Sequence, residues 1–248
     1  ASTGTSAQAG SGSGTDVAAY GDSCGAISAF GSVFVNGHEF ETHGARIVDD
    51  DTGATSTDMT TLEVGMSVDV KKSATSTDAH PSADEIRLRP LVRGVVDASD
   101  TAAGSLLVLG QSVQVTAATN FSDHRACVTA SASPCTAVAG QSDLSAATGS
   151  GSSAVAGSYV TVYGYLYSTS ASSGRADVVA TLVVVDDVPA ASSARAAAAY
   201  KVEGLVSAVG TGSVTIGGLL VDLSSANCRS GDAKADCASA FSVGQVVS

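Results

Sequence analysis

Five cysteines are the residues best placed for covalent chemistry: Cys24, Cys127, Cys135, Cys228 and Cys237. Cys127 and Cys135 flank "VTASASP", and Cys228 and Cys237 flank "RSGDAKAD". Each pair follows a similar apolar repeat at an equivalent place, so two local disulfides, Cys127–Cys135 and Cys228–Cys237, are expected. Closing a loop of about nine residues contributes roughly 2.5 kcal/mol in the chain-entropy model, and such bonds imply an oxidising compartment. Buried free thiols fit less well, because the intervening segments are polar. Zinc is the other competitor: "DHRAC" (123–127) offers Asp123, His124 and Cys127, but the second pair has no histidine nearby. Cys24 is left over, either free or joined to another chain as an intermolecular thiol.

Other reactive-looking residues are sparse. The run "DDDTG" (49–53) lacks the alternating ligands and terminal glutamate of an EF-hand loop and reads as an acidic turn. His38, His43, His80 and His124 are scattered and read as surface residues. No nucleophile elbow, phosphate loop or dinucleotide fingerprint is present, and "GSGSG" (10–14) is a flexible tail. No catalytic residue, metal site or cofactor is therefore expected, and the chain does not read as an enzyme. In "YVTVYGYLY", Tyr163, Tyr165 and Tyr167 share one strand face by their spacing of two. They form either a contact face for a glycan or protein partner, or a packing face between repeats.

Charge narrows the partners. A net charge of −12 with only 12 Lys and Arg argues against nucleic acid, whose phosphates need clustered positive charge. No apolar run approaches the roughly 20 residues of a membrane-spanning helix, so no membrane insertion is expected. An acidic, lysine-poor, Ser/Thr/Gly-rich surface suits a secreted protein. "ASTGTSAQAG" lacks the charged and apolar regions of a signal peptide, so an exported protein would be represented here in its mature form.

Short strands must position these residues. "GSVFVNGHEFET" (31–42) alternates apolar and polar residues on both sides of an Asn-Gly turn, the pattern of a β-hairpin. It returns as "GSLLVLGQSVQV" (104–115) and "GSVTIGGLLVDL" (212–223). The aligned apolar positions are Val33, Val35 and Phe40, then Leu106, Val108 and Val113, then Val214, Ile216 and Val221. The second glycine of each copy (Gly37, Gly110, Gly218) falls at the turn, where positive φ is needed. Leu109 suits such a turn poorly, so the middle turn is expected to differ. A strand precedes each hairpin (25–30, 93–100, 203–210), and strands with Gly-x-x-Val-x-Val follow at 62–70 and 154–164. Final strands beginning Ala-Asp lie at 83–92 and 176–185, and the one helix-prone stretch is 192–200.

The expected fold is all-β, with three tandem small OB-like barrel or sandwich units. An N-terminal tail (1–20) precedes repeat 1 (21–92), repeat 2 (93–189), and a linker with an incomplete repeat 3 (190–248). The quoted hairpins and "LEVGMSVDV" resemble a family of bacterial secreted proteins known only as a domain of unknown function. The likeness extends over most of residues 25–248 and is most specific in the hairpins. It implies export and tandem OB-like barrel repeats behind a signal or lipoprotein leader, and it carries no known active site. The paired cysteines and the lack of a lipobox before Cys24 depart from it.

In repeat 3, "FSVGQVVS" (241–248) matches Gly-x-x-Val, but no final Ala-Asp strand follows, so an acceptor edge is expected at Gly244, Val246, Val247 and Ser248. "GTDVAAY" (14–20) resembles "GRADVVAT" (174–181), which makes Thr15, Asp16, Val17, Ala18, Ala19 and Tyr20 a candidate donor strand. An incomplete chain and self-closure within one subunit remain as alternatives. The favoured reading is a secreted bacterial structural protein, a homopolymer joined head to tail by strand donation. The alternative is a monomeric cell-surface or periplasmic binding module with a carbohydrate or protein ligand.

Overall fold

The computed structural model describes residues 23–76, 81–130, 134–149, 156–168, 176–189, 200–230, 233–237 and 239–248. Within these, strands follow the alternation just described. The first unit holds β1 (Ser23–Ala29), β2 (Val33–Val35), β3 (His38–Phe40), β4 (Arg46–Asp49), β5 (Ala54–Ser56), β6 (Ser67–Lys72) and β7 (Ala83–Leu88). They form one sheet in the order β3-β2-β1-β6-β7-β4-β5. A parallel bridge between Glu41 and Ser82 curls β3 onto β7. There the Glu41 N–H donates to the Pro81 carbonyl at 2.9 Å, and the Ala83 N–H donates to the Glu41 carbonyl at 2.8 Å.

The second unit repeats this plan with β8 (Val92–Asp100), β9 (Ser105–Val108), β10 (Gln111–Gln114), β11 (Asn120–Asp123), β12 (Tyr159–Ser168) and β13 (Ala176–Asp186). The order is β10-β9-β8-β12-β13, and β10 also pairs in parallel with β13 through Val113 and Val178, so five strands close into a barrel. Closure removes the free edges of the sheet. In both units a short parallel strand, β4 or β11, lies on the far side of the last long strand. The small strand β14 (Lys201–Val202) pairs with β8 of the second unit, although its sequence belongs to the expected linker.

The third unit has β15 (Gly204–Gly210), β16 (Ser213–Ile216), β17 (Leu219–Asp222), a small hairpin of β18 (Arg229–Ser230) and β19 (Ala233–Lys234), and β20 (Val246–Val247). Its sheet runs β17-β16-β15-β20. Among the described residues no strand lies between β17 and β20, the counterparts of β10 and β12.

The aligned apolar positions face inward. Val33, Val35 and Phe40, and likewise Leu106, Val108 and Val113, are almost completely buried, and Val214 and Ile216 are buried with Val221 packed beside them. Two turn expectations are corrected. Leu109 does adopt positive φ (48°), as Asn36 does (53°), so the middle turn resembles the first. Its cost is offset by packing, because the Leu109 side chain lies over Gly94, where a Cβ would sit 2.6 Å from it. In the third hairpin the positive φ falls on Gly217, not Gly218.

The first two units share a core. Tyr163, Leu182 and Val184 belong to the apolar cluster of the first unit, whereas Val178, Ala180, Val183 and Val185 fill the second barrel. A bulge in the β12–β13 register, with Tyr163 opposite Leu182 but Gly164 opposite Ala180, accounts for this change of face. One extra residue, Thr181, reverses the in/out parity of β13. The Thr181 hydroxyl then donates to the Gly65 carbonyl. Gly65 has a φ of +97°, and a Cβ there would lie 2.7 Å from the Thr181 carbonyl oxygen, so only glycine allows the units to approach this closely. Ser67 adds a bond on the same seam, its hydroxyl accepting from the Gly164 N–H at 3.0 Å.

Candidate functional site

The two disulfides form as the spacing predicts, Cys127–Cys135 and Cys228–Cys237, and Cys24 is an exposed free thiol. The bond at Cys127 removes the thiolate that a zinc reading of "DHRAC" would need. Asp123 is engaged elsewhere too, gripped by both Nε (2.9 Å) and Nη2 (2.6 Å) of Arg125. Among the described residues no cluster of His, Cys, Asp and Glu has the makings of a metal site.

The acidic turn at 49–51 works as a three-pronged clamp. Asp49 accepts from Arg93 Nη2 at 3.0 Å, Asp50 accepts from Arg87 at 2.6 Å, and Asp51 accepts from Lys201 Nζ at 2.9 Å. Asp49 Oδ1 also accepts the backbone N–H groups of Asp51 and Thr52, which holds the turn in shape. Two of the three prongs reach beyond the first unit, to β8 and β14.

The tyrosine face is split. Tyr163 is only 4% exposed and packs between the units, so at this position the packing-face alternative holds. Tyr165 and Tyr167 remain about half exposed. Tyr165 is nonetheless tied to the first unit, its hydroxyl accepting from the Ala26 N–H at 3.0 Å.

Where the two units part, they leave a cleft of about 890 Å³. The first unit contributes Asp49, Thr60, Thr61, Glu63 and Met66. The second contributes Arg93 from β8, Tyr159, Thr161 and Tyr163 from β12, Asp186 at the end of β13, and the segment 123–125 after β11. His124 joins the walls: its Nε2 lies 2.7 Å from Glu63 Oε1 and its Nδ1 lies 3.7 Å from Asp186 Oδ1. The Glu63 contact raises the pKa of His124, and His124 in turn lowers that of Glu63. The Arg125 guanidinium, with the backbone N–H groups of Val138 and Arg125, holds Asp123 down to about 2. Burial pushes Asp186 up and drives the Tyr159 hydroxyl to about 12. The cleft thus holds ionised, paired carboxylates beside one carboxylate, Asp186, that is poorly served.

None of Asp49, Glu63, Arg93, His124 or Asp186 was marked by sequence spacing as a joint site. The acidic run and the "DHRAC" segment were visible, but their partners lie on other elements.

The expected donor segment, Thr15 to Tyr20, lies outside the described residues. Of the expected acceptor edge, Val246 and Val247 form β20 and pair with Leu205 and Gly204 on one side. Gly244, with a φ of +86°, donates its N–H to the Val206 carbonyl at 2.8 Å, and Ser248 follows β20. Leu220 on β17 is 69% exposed, and Val246 is 41% exposed.

Residues 93–173 match the family described as "Domain of unknown function (DUF5666)". The match opens on β8 and stops before β13, so it lies within the second unit. The match fits the expected likeness to an uncharacterised family over that part of the chain. No curated protein and no solved structure matches the chain.

Proposed function

We propose that the protein is a secreted bacterial structural subunit, built of OB-like repeats, whose copies join head to tail by β-strand addition. One observation carries this reading: among the described residues, no strand pairs in the slot between β17 and β20 of the third unit. In the second unit the same slot is filled by β13, which pairs with β12 on one side and with β10 on the other. Without such a strand, the third unit's core residues Val221, Leu223, Phe241 and Val247 are only partly buried. A sheet edge with unpaired backbone groups is a template for an incoming strand.

The proposed occupant is residues 15–19 of a second copy, because they align with 176–180, the part of β13 that closes the second barrel. Val17 then takes the place of Val178, and Val221 stands where Val113 stands in the second hairpin, so Val17 comes opposite Val221. A heterologous contact of this kind propagates as an open filament. The two disulfides support an oxidising environment, and no described helix is long and apolar enough to cross a membrane. The cleft between the first two units favours a second reading, a cell-surface or periplasmic binding module.

Light scattering and disulfide trapping test the first reading. The intact chain polymerises, deletion of residues 1–20 leaves monomers, and Val17→Cys with Val221→Cys in a Cys24→Ser background gives a ladder on non-reducing gels. An intact chain that stays monomeric at high concentration, or polymers that survive the deletion, would overturn it.

A further inference from the structure

The inter-unit cleft has the size and position of a small-ligand site, since such sites occupy roughly 300–1,000 Å³ and favour boundaries between units. Its chemistry follows from which polar groups are already satisfied. Asp49 is held by Arg93 and two backbone N–H groups, Asp123 by Arg125 and Val138, and Glu63 by His124. Glu63 Oε1 is paired by charge with His124 at 2.7 Å and makes no aligned hydrogen bond among the described residues, and two groups on the second unit's wall have less still. Arg93 is 7% exposed, and its Nη1 has no hydrogen-bond partner among the described residues. Among the described residues Asp186 has only the Thr161 hydroxyl at 3.5 Å and the His124 ring at 3.7 Å. Both distances exceed those of a good bond to a carboxylate.

These two groups flank one hydroxyl. Arg93 Nε donates to Thr161 Oγ1 at 3.4 Å, and Thr161 Oγ1 donates to Asp186 Oδ2 at 3.5 Å. β8 and β12 pair Arg93 directly with Thr161, so the arrangement is built into the barrel wall. Arg93 offers hydrogens and needs an acceptor, whereas Asp186 offers lone pairs and needs a donor. An anionic ligand would satisfy Arg93 but face Asp186, Asp187, Glu63 and Asp123. An ammonium group would satisfy Asp186 but face Arg93, Arg125 and His124. A hydroxyl group both donates and accepts, and adjacent hydroxyls can serve both side chains without added charge. Tyr159 and Pro189 supply apolar wall for the carbon face of a ring.

We infer that the cleft between the first two units binds a neutral saccharide, its hydroxyls bridging Arg93 and Asp186 across Thr161. This site is separate from the strand slot of the third unit and stands or falls without it. The test presents the intact protein to an array of neutral oligosaccharides (glucans, galactans, chitin fragments), sulfated and uronic-acid glycans, and spermidine. Hits are followed by amide chemical-shift titration. At least one neutral saccharide binds, its shifts map to Thr60, Thr161 and Asp186, and Asp186→Ala weakens it at least about tenfold. Thr161→Val provides a second variant, with a loss of about fivefold or more, if the first does not fold. The shift map of the unaltered protein needs neither. Absence of binding at millimolar neutral sugar, binding confined to acidic glycans or spermidine, or shifts that map away from the cleft would each overturn the inference.

Discussion

Replacing Arg93 with Met tests how much of the inter-unit seam rests on one ion pair. Arg93 Nη2 and Asp49 Oδ2 are 3.0 Å apart, with side chains only 8% and 14% exposed. Met fills much of the aliphatic volume of arginine but leaves the Asp49 carboxylate without its cation. Breaking a buried pair by removing one partner costs about 3–5 kcal/mol. Asp49 Oδ1 keeps its two backbone donors, at 3.0 and 3.3 Å, so the lower end, about 3 kcal/mol, applies. For a chain of this length each kcal/mol moves the melting temperature by about 2–4 °C, which gives a fall of roughly 6–12 °C. Asp49→Asn retains an oxygen for the backbone N–H groups and removes the stranded charge. Arg93→Met with Asp49→Asn should therefore recover about half of the loss. The assay is thermal and urea unfolding of the two single variants and the double variant as a cycle. A fall below about 2 °C for Arg93→Met, or strict additivity of the two changes, would refute the assignment.

Two further outcomes follow from the seams. Gly110 has a φ of +69°, and a Cβ there would lie 2.7 Å from both the Gly218 carbonyl carbon and the Leu219 nitrogen. Gly110→Ala should loosen the third unit from the second, seen as faster hydrogen exchange at the Gly218 N–H, which donates to the Gly110 carbonyl. Exchange across β6 and β7 should be unchanged; equal acceleration there would refute a local seam. The Glu63–His124 contact should make docking of the first two units pH-dependent. The His124 pKa is raised above 6.5, so its contribution is complete below about that pH and is lost as pH rises through the higher folded value. The Glu63 pKa is lowered from 4.5, so its contribution is present above that value and is lost as pH falls through the depressed one. Asp186, raised by burial, opposes Glu63 by losing stability as pH rises through the acid range. Stability should fall as pH is raised above neutrality, and His124→Ala should flatten that limb. An NMR titration placing His124 at or below its ordinary value would contradict the contact.

Particular residues show why the barrels were legible in the sequence and the cleft was not. A hairpin is local: alternation of period two across Val33, Val35 and Phe40, with Asn-Gly between, states face and turn within twelve residues. Leu109 marks the limit of that reading, because its unfavourable φ is offset by packing on Gly94, which the dipeptide does not show. Tyr163, Tyr165 and Tyr167 do share a face, but a strand's own pattern does not say whether solvent or another unit covers it. The neighbouring run "TLVVV" (181–185) held a usable signal. Continuous apolar residues after an alternating stretch require cover on both faces, and the bulge at Thr181 is where the second face begins. The cleft has no such local signature. Asp49, Glu63, Arg93, His124 and Asp186 come from three strand ends and two loops, and each alone is an ordinary charged residue. They become a site because Gly65 lets the first unit touch the second along β12 and β13, with the cleft opening beside that contact.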